Sequence, residues 1–265
     1  MHNAIRREAS KTEQKQGDKM IHVSVIGAQG RMGSHVVAAV NAAQDMQLVH
    51  ALDRDDDLNI ISTDNTDVVV EFSVPDASLK NVLAMVNKNV NVVVGTTGWT
   101  EEKMDTVREA LEEHPNISVF IAPNFAISTV LAEHFATQVA KYFESAEIIE
   151  LHHPDKVDAP SGTALHTAHK VAAARKAANM PEIPDNTQTD GGSRGQVVEG
   201  IHVHAVRLRG LNAHEEVLFG NAGEQLVIRA DSFDRTSFMP GVLLAVRHAG
   251  EKPGLSVGLD NYLDL

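Results

Sequence analysis

A β-branched run that breaks into three spaced glycines constrains this chain more than any other stretch. In "MIHVSVIGAQGRMGSHVVAAVNAAQ" the segment from Ile21 to Ile26 reads as a strand. Gly27, Gly30 and Gly33 follow, and then a stretch rich in Ala and Val. β-Branched side chains favour extended backbone and alanines favour helix. Strand, glycine turn and helix in this order begin a βαβ unit whose backbone approaches a pyrophosphate at the helix N-terminus. The G-x-x-G-x-x-G spacing is one residue longer than the common fingerprint, and glycine turns are frequent, so the next strand has to decide. That strand, "LVHALDR", ends in Asp53, about 20 residues past the last glycine, where a Rossmann unit places the acid for the ribose hydroxyls. Arg54 beside it suits the additional phosphate of NADPH, so the pair predicts use of NADH and NADPH alike.

Three further strand-like runs, "DVVVEFS", "NVNVVVGTTG" and "NISVFIAPNF", alternate with helical stretches starting near Pro75 and Thr100. The near-continuous apolar character of the first two fits parallel strands covered on both faces. Ligands of such sheets sit outside the carboxyl ends of the strands. That edge collects Ser73, the segment from Gly95 through Thr96 and Thr97 to Gly98, and Ala122, Pro123, Asn124 and Phe125. The segment "DRTSFMPGVLLAVRHAG" reads as a final helix that returns to this half. The predicted dinucleotide-binding domain is therefore 21–126 with 235–265.

At 265 residues the chain has room for one large or two modest domains. A formal charge of −13 excludes a general nucleic-acid binder, though not a local basic pocket. There is no cysteine, which excludes disulfides and thiolate metal sites and suits a reducing cytoplasm. No apolar run approaches the roughly 20 residues of a membrane span. Residues 1–20 are polar, lack an apolar core and are expected to be a disordered tail without chemistry.

The second half changes character. A helical stretch from about Ser128 to Phe143 leads into a strand, "SAEIIELHH", that delivers His152 and His153 to its end. The loop "PDKVDAP" brings Lys156, and Ser161, Gly162 and Thr163 open a strong helix. Unpaired N–H groups and two hydroxyls at a helix start, with a lysine nearby, attract carboxylate or phosphate. A capped helix with incidental charges is the plainer alternative. A metal is not expected, because the histidines lack H-E-x-x-H spacing and the chain holds 14 of them. Three alternating strands follow, in "EGIHVHAVRLRG", "NAHEEVLFG" and "GEQLVIRADSF". They predict an open, mixed sheet that needs a covering partner, in a second domain over 127–234. The fold class is thus α/β: a Rossmann-type domain plus an α+β domain for substrate and oligomerisation.

The runs "VIGAQGRMG", "VVGTTG", "APNF" and above all "ELHHPDKVDAPSGTA" closely resemble the 4-hydroxy-tetrahydrodipicolinate (dihydrodipicolinate) reductase family of bacterial lysine and diaminopimelate synthesis. The likeness runs in order from Ile21 to Leu265. It implies that NAD(P)H reduces a cyclic imine dicarboxylate to tetrahydrodipicolinate. It further implies that Gly27, Ala28, Gln29, Gly30, Arg31 and Met32 form the cofactor loop. Asp53 and Arg54 would meet the ribose, and Gly95–Thr97 and Ala122–Phe125 would line the cofactor. The same matching makes His152 the acid/base and Lys156 the proton donor, with His153 and the Gly162–Thr163 backbone on the substrate. A homotetramer built through the second sheet is implied as well. Two positions depart from many relatives: Asp155, an acid next to Lys156, and Val74, where some carry an arginine. Two rival readings are a reductase or dehydrogenase of another imine or carbonyl acid, and a cofactor-sensing protein without turnover.

Overall fold

The run Ile21–Ile26 forms strand β1, one in from the β2 edge of a six-stranded parallel sheet, and Val23, Val25 and Ile26 are buried in it. In the computed structural model, which describes residues 20–188, 191–263 and 265, the chain divides into two compact units. Of the described residues, one holds those up to Phe125 together with 239–263; the other is Ala126–Phe238 with Leu265. The tail expected over 1–20 lies, but for Met20, outside the described residues.

In the first unit β1 is followed by α1 (Gly33–Ala42), β2 (Met46–Leu52), β3 (Val68–Glu71), α2 (Pro75–Val86) and β4 (Asn91–Val94). Then come α3 (Glu101–Glu112) and β5 (Ser118–Ile121); after the second unit the chain returns with α6 (Met239–Arg247) and β11 (Gly254–Val257). The strand order is β11-β5-β4-β3-β1-β2. The order reverses direction at β1, so the ends of β1 and β3 flank the switch point at which open α/β sheets hold their ligands. Valines dominate β3 and β4 because both faces are covered; the core joins Val69, Val92 and Val94 to Val82, Met85 and Val86 of α2. Thr100 caps α3, its hydroxyl accepting from the Lys103 N–H.

The second unit contains α4 (Ile127–Val139), β6 (Ser145–His152), α5 (Gly162–Ala177), β7 (Gln196–Val198), β8 (Ile201–Arg207), β9 (Ala213–Asn221) and β10 (Glu224–Ser232). Its sheet runs β10-β9-β6-β8-β7, with β6 and β8 parallel and the other pairs antiparallel. One face, carrying Ile148, Val203, Val217 and Phe219, packs with Ala164, Ala168, Val171 and Ala172 of α5. Those α5 positions repeat at helical spacing, and the alanines let helix and sheet approach closely. Glu147 and Ile149 of β6, in register with His202 and His204, point to the other face, together with Leu218 of β9 and the half-exposed Val227 of β10. Strands β7 and β11 have no counterpart among the elements expected from the sequence.

Candidate active site

The glycine turn is shaped by main-chain crowding. Gly27 has φ +82, and a Cβ there would stand 2.4 Å from the Phe72 carbonyl oxygen. At Gly33 a Cβ would meet the Gly27 oxygen at 1.9 Å, so α1 starts pressed against the turn. No side chain caps α1, although the Ser34 N–H in its first turn is taken by the Gly30 carbonyl at 3.0 Å. Asp53 accepts from the Arg54 N–H and the Gln29 N–H, both at 2.9 Å, and these two bonds hold its carboxyl below the ordinary range. Gly27, Gly30, Asp53, Arg54, Ser73 and Lys80 line one cavity of about 260 Å³.

The other expected cofactor residues are distributed along the same sheet edge. Ala28 is buried, with its N–H on the Leu52 carbonyl at 3.0 Å, while Gln29 and Arg31 are exposed and Met32 half-buried. The segments after β4 and β5 continue the ladder: Gly95 N–H donates to the Glu71 oxygen and Ala122 N–H to the Val94 oxygen. These segments do not line the 260 Å³ cavity. Thr96 carries a buried hydroxyl without a partner among the described residues, whereas Thr97 and Pro123 are exposed and Asn124 half-buried. Phe125 is 3% exposed, its ring tilted against Phe72 and edge-on to Phe120, so only its main chain can face a ligand. A turn that admits no Cβ, a helix start without a side-chain cap, the Asp53 carboxylate in the same cavity and an orphaned threonine hydroxyl together fit a dinucleotide.

Beneath this edge lies Glu71, fully buried at the end of β3. It accepts from the Ser73 N–H at 3.1 Å, the Ser73 hydroxyl, the Ser78 hydroxyl at 2.6 Å and the Asn81 amide at 3.3 Å. The Ser73 hydroxyl is therefore committed to Glu71 and Asn81, and this serine is itself held in place.

In the second unit β6 carries Glu150 and His152 on one face, and the loop after it folds back toward the start of α5. His152 donates Nδ1–H to Glu150 at 2.5 Å. Glu150 is fully buried and also accepts the Ser161 N–H at 3.0 Å and both terminal nitrogens of Arg207, at 2.7 and 2.8 Å. Burial works to raise the Glu150 carboxyl, but the bonds from Arg207 and His152 outweigh it and hold it below the usual range. Burial pushes the His152 imidazole down; the bond to Glu150 opposes this, and the charges of Lys156 and Arg207 reinforce it. His152 is therefore neutral at pH 7, with its proton on Nδ1 and Nε2 left as an acceptor.

Lys156 reaches Asp158, its ammonium 2.8 and 2.9 Å from the two carboxylate oxygens. The carboxylate near this lysine is thus Asp158, two residues on, rather than the adjacent Asp155. Asp158 lies below its ordinary range first through Lys156, and the Gly162 N–H contributes in the same direction. The ammonium and the helix start hence converge on one carboxylate. Ser161 departs from the expectation of two hydroxyls aimed at one spot. It is 2% exposed, and its hydroxyl accepts the Ala164 N–H at 3.2 Å as the cap of α5. Gly162 is exposed and Thr163 half-buried beside it; His153 is half-buried, and its carbonyl accepts the Lys156 N–H at 3.2 Å.

Residues 21–125 match "Dihydrodipicolinate reductase, N-terminus" and residues 127–263 match "Dihydrodipicolinate reductase, C-terminus". The chain belongs to the dihydrodipicolinate reductase family. It is 72% identical over 251 residues to the 4-hydroxy-tetrahydrodipicolinate reductase of Bifidobacterium longum subsp. infantis, covering 93% of this chain and 100% of that one. The enzyme of the same name from Cutibacterium acnes is 54% identical over 247 residues, with the same coverage. Among solved structures, dipicolinate-bound dihydrodipicolinate reductase from Paenisporosarcina sp. TG-14 superposes with a TM-score of 0.82 at 34% identity, over 92% of this chain and 100% of that one. The chain is accordingly an NAD(P)H-dependent oxidoreductase of lysine and diaminopimelate synthesis that reduces 4-hydroxy-tetrahydrodipicolinate.

Within this reductase fold, five residues that build these arrangements were not singled out from the sequence: Glu71, Lys80, Glu150, Asp158 and Arg207. For Glu150 a signal existed, since Glu-x-His on a strand puts both side chains on one face. Lys80 is one exposed lysine among several, and only its place in α2 turns it toward Asp53 and Arg54.

Proposed function

We propose that the first unit holds NADH or NADPH through Gly27–Met32, Asp53, Arg54, Ser73, Gly95–Thr97 and Ala122–Phe125. In the same reading the dicarboxylate substrate is held in the second unit by His153, Gly162 and Thr163. One observation carries the second part. A carboxylate of the chain itself, that of Asp158, already sits where the Lys156 ammonium and the Gly162 N–H converge. A substrate carboxylate fits the same donors by the same chemistry.

Bound NAD(P)H supplies the hydride. In net terms the 4-hydroxy ring loses water, and hydride plus one proton reduce the conjugated imine to the tetrahydro product. Hydride addition leaves electron density on the neighbouring carbon and nitrogen, and that carbon must take a proton. Lys156 is the donor, since it is a charged ammonium beside the anion-binding helix start. His152, neutral with Nε2 as acceptor, serves as the acid/base that receives and returns a proton at the ring. Arg54 and Lys80 suit the NADPH phosphate, while Asp53 suits the free ribose hydroxyls of NADH.

The open face of the second sheet, with Ile149, Leu218 and Val227, supports a homotetramer assembled through that sheet. No helix among the described residues is long and apolar enough to cross a membrane, and the cysteine-free chain suits the cytoplasm. The decisive test is oxidation of NADH and NADPH, in parallel, with freshly generated 4-hydroxy-tetrahydrodipicolinate. Lys156→Ala is expected to lose at least about 10²-fold in kcat with cofactor binding intact. Unchanged turnover of the folded variant would refute the role given to Lys156.

A further inference from the structure

Glu150 and Arg207 stand 57 residues apart on neighbouring parallel strands and form a bidentate pair beneath the reacting groups. Each of the two makes further bonds to a different part of the site. Glu150 takes the His152 Nδ1–H and the Ser161 N–H, so it holds both the imidazole and the start of α5. Arg207 donates to the Asp158 carbonyl at 2.7 Å, and Asp158 in turn holds Lys156. The residue after Arg207 adds a main-chain tie, Leu208 N–H to the His152 carbonyl at 3.1 Å.

We propose that the Glu150–Arg207 pair is the positioning element of this active site. It fixes His152 with the proton on Nδ1 and Nε2 turned to the substrate, and it ties the Lys156 loop and the start of α5 to the same two side chains. The proposal deepens the reading of His152 and Lys156 given above and rests on it. Neither residue touches substrate; both act through the groups they hold. A carboxylate on one imidazole nitrogen selects the tautomer and orients the ring, as second partners of functional histidines commonly do. The charged groups acting on His152 are Glu150 on its own strand, Lys156 on the loop and Arg207 on β8; Asp158 is bonded to Lys156, and Glu215 on β9 stands opposite Glu150 in register. Among them Glu150 is the acceptor bonded to the ring, and no protein group is bonded to Nε2 among the described residues.

The test uses the full chain in three forms: unaltered, Glu150→Gln and Glu150→Asp. Nitrogen-15 NMR of the labelled imidazoles, with His152 assigned by substitution, is expected to show the Nδ1–H tautomer in the unaltered protein and a mixture in Glu150→Gln. In the NAD(P)H assay Glu150→Gln is expected to lose about 10²-fold in kcat with KM for substrate nearly unchanged. The acidic limb of its pH profile moves to lower pH, because a partner that favours the imidazolium is gone. Glu150→Asp restores the tautomer and part of kcat. An Nε2–H tautomer in the unaltered protein overturns the proposal, and so does a folded Glu150→Gln with unaltered kcat and pH profile. If Glu150→Gln does not fold, the unaltered spectrum and Glu150→Asp decide. If the unaltered protein binds cofactor but consumes none, the functional reading fails, while the tautomer spectrum still judges the positioning.

Discussion

Glu71 and Glu150 are both fully buried carboxylates at or near the end of a sheet strand, and each accepts four hydrogen bonds, yet their surroundings differ in kind. Around Glu71 every donor named above is neutral: a peptide N–H, two hydroxyls and an amide. Around Glu150 the donors include a guanidinium and an imidazole. The first arrangement braces Ser73 and Asn81, which line the cavity beside the glycine turn. The second holds His152 and, through Asp158, Lys156, the groups to which we assign proton exchange, and there the partners carry charge as well as fill space. A buried acid thus indicates a site's task less by its burial than by whether its partners can change or carry charge.

The contrast makes quantitative demands. The largest effect is expected at Arg207→Met, which leaves the buried Glu150 without its cation and should cost about 3–5 kcal/mol in denaturant unfolding. Glu215 comes next. Burial pushes its carboxyl up to about 7, the Thr167 hydroxyl bond at 2.8 Å working against this. Because the folded value exceeds the unfolded one, its contribution is complete below the ordinary carboxylate range and is lost as pH rises through about 7. On the order of 2–3 kcal/mol should therefore disappear between about pH 5 and pH 9, and Glu215→Gln should flatten that slope in unfolding measurements. The smallest effect is expected at Ser78→Ala, which removes one neutral donor from Glu71 and should cost about 1–2 kcal/mol. An equal cost for Ser78→Ala and Arg207→Met would erase the distinction between the two carboxylates.

What could be read from the sequence followed the same division. Main-chain constraints leave a mark on residue type: Gly27 and Gly33 must be glycine because carbonyl oxygens crowd them, and so the turn was legible, as was the parallel sheet from its valine runs. The distance of Asp53 along the chain placed it at the end of β2, and there it lines the cavity with Gly27 and Gly30. The charged network was only half visible. His152 and Lys156 stand in one distinctive run, but their support comes from Arg207, and a strand register that spans 57 residues leaves no local pattern. Ser161 was assigned to a ligand because capping and binding draw on the same residue types. The four-residue strand β11 is too short to show a period and is held by β5.

The division of the chain into units also bears on synthesis. The first unit is built from residues on either side of the second, which is continuous from Ala126 to Phe238. On the ribosome, the second unit can close while β5 still has a bare edge, because Gly254–Val257, which pair with Ser118–Ile121, have yet to emerge. The nascent enzyme thus passes through a stage in which the cradle for His152 and Lys156 is finished and the nucleotide-binding sheet is not. An exposed strand edge at that stage is a site for mispairing between chains, and a holdase chaperone that recognises extended apolar segments would find its target there.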